Sequence, residues 1–219
     1  MKIIMKARVG SHLYGLNHEN SDEDFLGVMV RPTEEILGFF NNEETYVTND
    51  PDCTLHEVKK FMSLAAKGNP TVLELLFCPE YLHMTYEGAI LVAHREMFLS
   101  NNVRASFGGY AVQQARKLKQ REAEGLEGFN PAVKNRPAKH ARHCFRLMRQ
   151  GRTLLETGVL NPRLENPEEY FELGEMSSGQ LIEKFEEEFS TFDSCKSVLP
   201  DKPYWEGLNE LLLEIRKIN

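Results

Sequence analysis

The sequence of 219 residues is 41% hydrophobic and 27% charged, the composition of a globular chain long enough for one large domain or two small ones. Its formal net charge of −7 argues against general affinity for nucleic acid, and no window approaches the roughly 18 apolar residues of a membrane span. MKIIMKARVG lacks the features of a signal peptide, and Cys53, Cys78, Cys144 and Cys195 are scattered with no CxxC pair, so a cytoplasmic chain with reduced thiols is expected.

KIIMKARVG reads as a short start, and SHLYGL as a helical turn that Ser11 could cap. DEDFLGVMV alternates and then runs apolar with β-branched valines, which predicts a strand. RPTEEILGFF is a turn followed by something short. TYVTND predicts a second strand, ended by the cluster Asn49-Asp50-Pro51-Asp52. CTLHEVKKFMSLAAKG reads as a strand end running into a helix, with Leu55, Val58, Phe61, Met62, Leu64 and Ala65 near helical spacing and Gly68-Asn69-Pro70 as the stop. TVLELLF is a further apolar segment and YEGAILVAHREMFL a helix. Beyond 103 no strand pattern is visible. Two long helices, around 103–124 and 137–157, are joined by GLEGFNPAVKNRP, and two amphipathic helices follow around 178–190 and 204–217. The expected fold is α+β, with a mixed-sheet domain over 1–100 and an α-helical domain over 101–219.

Charge is unevenly spread. Residues 1–103 carry 8 basic and 15 acidic side chains, residues 104–152 carry 12 and 3, and residues 153–219 carry 6 and 15. A basic middle in an acidic chain is either a local anion site or a solvated helix face.

The densest chemistry lies in GSHLYGLNHENSDEDFLGV, residues 10–28. Asp22 and Asp24, two apart on a predicted strand, point the same way while Glu23 points opposite. Paired carboxylates repel unless a cation lies between them, and Mg²⁺ suits such oxygen ligands together with substrate phosphates. An EF-hand loop starting at Asp22 fails, because Leu26 and Thr33 occupy its fifth and twelfth positions. A P-loop fails because Leu16-Asn17 follows Gly15 where Lys-Ser/Thr is needed. A polar turn preceding a strand remains the plain alternative.

Taken whole, Gly-Ser at the head of a short helix, a loop, then Ser-Asp-x-Asp, two apolar residues and Gly-Val resemble the nucleotidyltransferase superfamily that includes DNA polymerase β, in its branch of bacterial and phage nucleotidyltransferases. The resemblance implies that Gly10, Ser11 and Ser21 contact the phosphates of a nucleoside triphosphate. It also implies that Asp22 and Asp24 bind two Mg²⁺ ions, for which Mn²⁺ could substitute. A third carboxylate on a neighbouring strand would bind metal and deprotonate the attacking hydroxyl. Glu57, ahead of the basic-apolar helix that ends in Asn-Pro, is matched to it, with Asp50 and Asp52 as competitors. In KHARHCFRLMRQGRTLLETG, Lys139, His143, Arg146 and Gln150 share one helical face. Lys139 and Arg146 match a Lys and an Arg seven residues apart in the same branch, where they would grip the triphosphate. Tyr110 matches an aromatic that could stack on the base, or packs in the core. His140 and Cys144, four apart, lack further ligands for a zinc site.

The expected activity is therefore transfer of a nucleoside monophosphate from a nucleoside triphosphate to an acceptor hydroxyl, with release of pyrophosphate. The acceptor could be an RNA 3′ end (tRNA included), a protein or a small molecule, and no membrane partner is expected. The rivals are a nucleotide-binding sensor or interaction module without turnover, and a phosphohydrolase or nuclease that uses the same metals on water.

Overall fold

A computed structural model describes residues 1–19, 21–39, 43–123 and 131–217. The chain forms two compact units. One comprises Met1–Ser100, Asn161–Arg163 and Pro200–Asn219, and the other Asn101–Leu160 and Leu164–Leu199. The stretch from Pro200 onward, expected in the helical part, thus belongs with the first unit.

The first unit is built on a mixed sheet. KIIMKARV, read from the sequence as a short start, is an eight-residue strand, β1 (Lys2–Val9). Its register against β2 (Asp24–Val30) shifts between Ile3 and Met5. This irregularity breaks the strict alternation by which a strand is recognised. The other strands are β3 (Thr45–Asn49), β4 (Asp52–Glu57) and the short β5 (His83–Met84), and the order across the sheet is β3-β4-β2-β1-β5. β2 runs antiparallel to β1 and parallel to β4, and its residues Leu26–Val30 are all buried, which explains the continuous apolar run.

Short helices connect the strands. α1 (Gly10–Tyr14) follows β1 directly, α2 (Thr33–Leu37) follows β2, and β4 passes without a loop into α3 (Val58–Ala66). Asn69-Pro70 stops α3 and starts α4 (Pro70–Leu76), with the Asn69 side chain accepting the Val72 N–H at 3.2 Å and proline at a first-turn position that needs no donor. α5 (Tyr86–Ala93) precedes a 3₁₀ turn, Arg95–Phe98. The last helix described, numbered α10 here (Trp205–Lys217), packs in this unit on the 3₁₀ turn and on α3.

The second unit is all helical. α6 (Asn102–Ala123) and α7 (Pro131–Thr157) pack along each other, followed by α8 (Pro167–Glu172) and α9 (Ser178–Ser194). Half of the expected linker is helix, since α7 already starts at Pro131; residues 124–130 lie outside the described residues. Phe107, Ala111, Ala115 and Leu118 of α6 are buried, as are Ala141, Cys144, Phe145 and Met148 of α7 and Phe192 of α9. A capping box at Ser177 and Gln180 starts α9. Two arginines of the basic middle segment act as internal ties. Arg149 grips Glu188 with two hydrogen bonds of 2.9 and 2.7 Å, and Arg104 donates to the carbonyls of Phe192, Asp193 and Cys195 at the end of α9. Among the described residues no helix is long and apolar enough to cross a membrane.

Candidate active site

Strand register brings two carboxylates together. Val9 of β1 pairs with Asp24 of β2, and Asp24 pairs with Asp52 of the parallel strand β4. Directly paired residues of neighbouring strands point to the same face, so Asp24 and Asp52 stand side by side at one end of the sheet, about 5 Å apart at the backbone. Asp22 lies two residues ahead of Asp24, just before β2 begins, and is exposed. Glu23 is turned to Arg8, with which it forms an ion pair of 2.6 Å. Among the described residues the carboxylates of Asp22 and Asp52 have no hydrogen-bond or ion-pair partner.

Gly10 closes this corner. Its φ of +65° is left-handed, and a Cβ there would collide with Oδ2 of Asp24. Backbone strain and lack of space therefore both require glycine. Ser11 does not cap α1, which starts at Gly10 with no side-chain cap. Its carbonyl instead accepts the Leu16 N–H at 2.9 Å, and its hydroxyl has no partner among the described residues. Ser21 is used within the loop, where its hydroxyl accepts the His18 N–H at 2.9 Å and its own N–H donates to the His18 carbonyl.

Glu57 is elsewhere. It pairs with Met29, five residues along the strands from Asp24 and Asp52, a separation of about 16 Å. The odd spacing from Asp52 also turns it to the opposite face, which carries the cluster of Met29, Cys53, Leu55, Ile3 and Phe25. There it is buried and fully engaged. One oxygen accepts the Lys59 N–H at 2.9 Å as the N-cap of α3, and the other accepts from Arg216 of α10 at 2.8 Å. The structure therefore does not bring Glu57 to Asp22 and Asp24; the carboxylate it sets beside Asp24 is Asp52, one of the two competitors. Parity separates the two candidates: along DCTLHE, Asp52 shares its face with Thr54 and His56, and Glu57 lies on the other with Cys53 and Leu55.

In the helical unit, Tyr110 is 37% exposed and Lys139 is exposed. Arg146, by contrast, is 1% exposed, and its guanidinium donates to Gln150 at 2.7 Å and to Nδ1 of His143 at 3.1 Å. The expectation that it grips a triphosphate alongside Lys139 is not met by this placement, because a buried guanidinium spent on its own helix is not presented to a ligand. Burial, and then the charges of Arg146, His140, Lys117 and Lys139, push His143 down to about 3. His143 is thus a neutral acceptor at pH 7. His140 bonds Gln114 at 2.8 Å, and the buried Cys144 thiol, pushed up to about 12 mainly by burial, donates to the Ala111 carbonyl.

Donor chemistry at the Asp22, Asp24 and Asp52 corner is all carboxylate oxygen, which suits Mg²⁺ or Mn²⁺ and not zinc. Among the described residues no three carboxylate, imidazole or thiol groups enclose a common point by themselves. An ion held here would complete its shell with phosphate oxygens and water, as Mg²⁺ commonly does.

The chain is 33% identical over 131 residues, 53% of its length, to an uncharacterized 38.9 kDa protein of Enterobacteria phage T4 from the nrdC-mobD intergenic region. It spans only 39% of that relative's length. A nucleotidyltransferase-like protein from Exiguobacterium sibiricum 255-15, solved at 1.90 Å, aligns over 100% of this chain and 75% of its own, at 10% identity and a TM-score of 0.36. Residues 1–169 match the RlaP family, and the chain therefore belongs to this RNA repair pathway DNA polymerase β family of nucleotidyltransferases.

Proposed function

We propose that the chain transfers a nucleoside monophosphate from a nucleoside triphosphate to the 3′-hydroxyl of an RNA, releasing pyrophosphate, in a reaction that depends on Mg²⁺. The observation that carries this reading is the pairing of Asp24 with Asp52 beside a glycine that excludes any side chain from the Asp24 carboxylate. The family's description, an RNA repair pathway, favours RNA over protein or small-molecule acceptors.

Asp22, Asp24 and Asp52 would hold up to two Mg²⁺ ions. Bound there, the metal supplies charge neutralisation on the triphosphate and lowers the cost of forming the attacking alkoxide. Gly10 lets the backbone approach the phosphates, and the Ser11 hydroxyl donates to one of their oxygens. Asp52 takes the proton of the attacking hydroxyl. The new bond forms between that oxygen and the α-phosphorus, and the bond to the β-phosphate oxygen breaks. Positioning and electrostatics supply most of the acceleration in such displacements. Lys139 and Tyr110 are exposed on the helical unit, and their substitution tests the roles that the resemblance implies for them.

The test incubates the protein and Mg²⁺ with each α-³²P-labelled triphosphate and RNA carrying a free or a blocked 3′ end. Label on the free end alone, absent with Asp24→Asn, is expected. Label appearing only as free monophosphate would make the chain a hydrolase. Triphosphate binding without turnover on RNA, lysate protein or small molecules would make it a sensor.

A further inference from the structure

We propose that the first unit carries a second nucleotide site, a pocket on the far side of β1 from Asp24 that takes one nucleoside monophosphate unit. The inference rests on the transfer reading only for the source of that nucleotide. The pocket, of about 170 Å³, lies between the end of β1, α1 and the segment leading into β5. This is below the roughly 300–1,000 Å³ that encloses a drug-sized ligand, so the pocket would enclose part of the nucleotide and leave the rest on its open rim.

Its walls have the two characters a nucleotide needs. Leu13 is buried in the floor, while Pro79 and Leu82 are exposed at the rim, and together they offer an apolar surface to a base. Leu82 is 55% exposed, and its backbone N–H is fixed to the Lys6 carbonyl at 2.9 Å, so the wall is held against β1. Arg8 and Arg163 bring guanidinium groups suited to phosphate. The Arg163 guanidinium has no partner among the described residues. Glu80, also at the rim, is an acceptor for ribose hydroxyls or a base amino group.

The pocket also touches the catalytic loop. Arg8 pairs with Glu23 at 2.6 Å, and Nε2 of His12, another lining residue, lies 3.5 Å from the Ser21 carbonyl. Two pocket residues therefore hold the segment that carries Asp22. A phosphate drawing Arg8 away from Glu23 would be felt there.

A nucleoside monophosphate could arrive as the 3′-terminal unit of the acceptor RNA or as a free mononucleotide, and one experiment separates them. Saturation-transfer NMR and calorimetry, without Mg²⁺, measure binding of AMP, CMP, GMP and UMP and of a six-nucleotide RNA with a free 3′ end. The wild type is compared with Arg163→Glu, Leu82→Asp and Asp24→Asn. Binding by at least one mononucleotide, weakened tenfold or more by Arg163→Glu and by Leu82→Asp but unchanged by Asp24→Asn, supports the site. Displacement of the mononucleotide by the hexamer, with a tenfold rise in the hexamer KM for Arg163→Glu at constant kcat, identifies the acceptor end. Binding that the hexamer does not displace identifies a free mononucleotide. No binding by any probe, or binding indifferent to both rim substitutions, overturns the inference while leaving transfer intact. Pocket binding without transfer to any acceptor overturns the proposed activity and leaves the pocket standing.

Discussion

The two ends of β4 carry the same kind of charge in opposite circumstances. Glu57 is buried, caps a helix and is paired with Arg216, so every demand its carboxylate makes is met inside the protein. Asp52 is exposed beside Asp24, with no partner of its own among the described residues. The helical unit repeats the contrast along α7, where Arg146 is spent on Gln150 and His143 while Lys139 faces solvent. Charges satisfied within the fold hold it together. Charges left facing outward are the ones available to a ligand, and residue type alone does not tell them apart.

The sharpest way to break this contrast is to exchange its outcomes. Asp24→Asn and Asp52→Asn should each lower the rate of transfer by roughly 10²–10³-fold, the scale of losing one electrostatic contact to developing charge, with the thermal midpoint unmoved. Glu57→Gln should do the reverse. It leaves the rate per folded molecule intact and costs about 1–3 kcal/mol in urea unfolding, because the partly buried Arg216 loses its charged partner. A transfer rate lost in Glu57→Gln at full stability would return that residue to the chemistry.

Gly10→Ala tests the corner between strand and turn. A Cβ against Asp24 in a left-handed backbone should cost about 1–2 kcal/mol of stability and roughly 10²-fold in rate, since small displacements of reacting groups are expensive. Equal activity in the alanine variant would show that the carboxylate has room to move.

Smaller effects are expected from α7. Lys139→Ala should raise the triphosphate KM roughly fivefold with little change in kcat, the worth of one exposed charged contact. His143, pushed down to about 3, is neutral in the folded protein and protonates near 6.5 when unfolded. The unfolded state therefore binds more protons between these values, and stability falls as pH drops from about 6.5 towards 3. His143→Gln should flatten that limb of the stability curve, measured by thermal melting across the range, because glutamine can still accept from Arg146 without titrating.

Much of this arrangement was legible in the sequence. Gly10, Asp22 and Asp24 lie within one short stretch, although β2 begins only at Asp24, so the common direction expected of two aspartates on one strand does not extend to Asp22. The passage from strand to helix at Glu57 and the Asn-Pro junction of α3 and α4 were equally local. The placing of Asp52 beside Asp24 was not, because it depends on β4 lying parallel to β2 in a given register, and that pairing joins residues 28 positions apart. Counting back from a recognisable helix led to Glu57, the residue whose spacing to the helix is fixed by its role as a cap. β1 was obscured by its irregular register near Ile4. The burial of Arg146 was hidden for a related reason: a helical face rich in charge looks solvated until the neighbouring helices are placed.

The ion pair of Arg216 with Glu57 has a consequence for synthesis. The sheet leaves the ribosome first, but α10, which packs on α3 and on the 3₁₀ turn, follows only after the whole helical unit has been made. The helical unit is in effect an insertion within the first. Until translation reaches Arg216, Glu57 lacks its arginine and the apolar seat of α10 is open to water, the kind of exposed surface by which incomplete domains aggregate. A fragment that stops at Ser100 would keep that vulnerable state permanently, even though it contains every carboxylate assigned to catalysis.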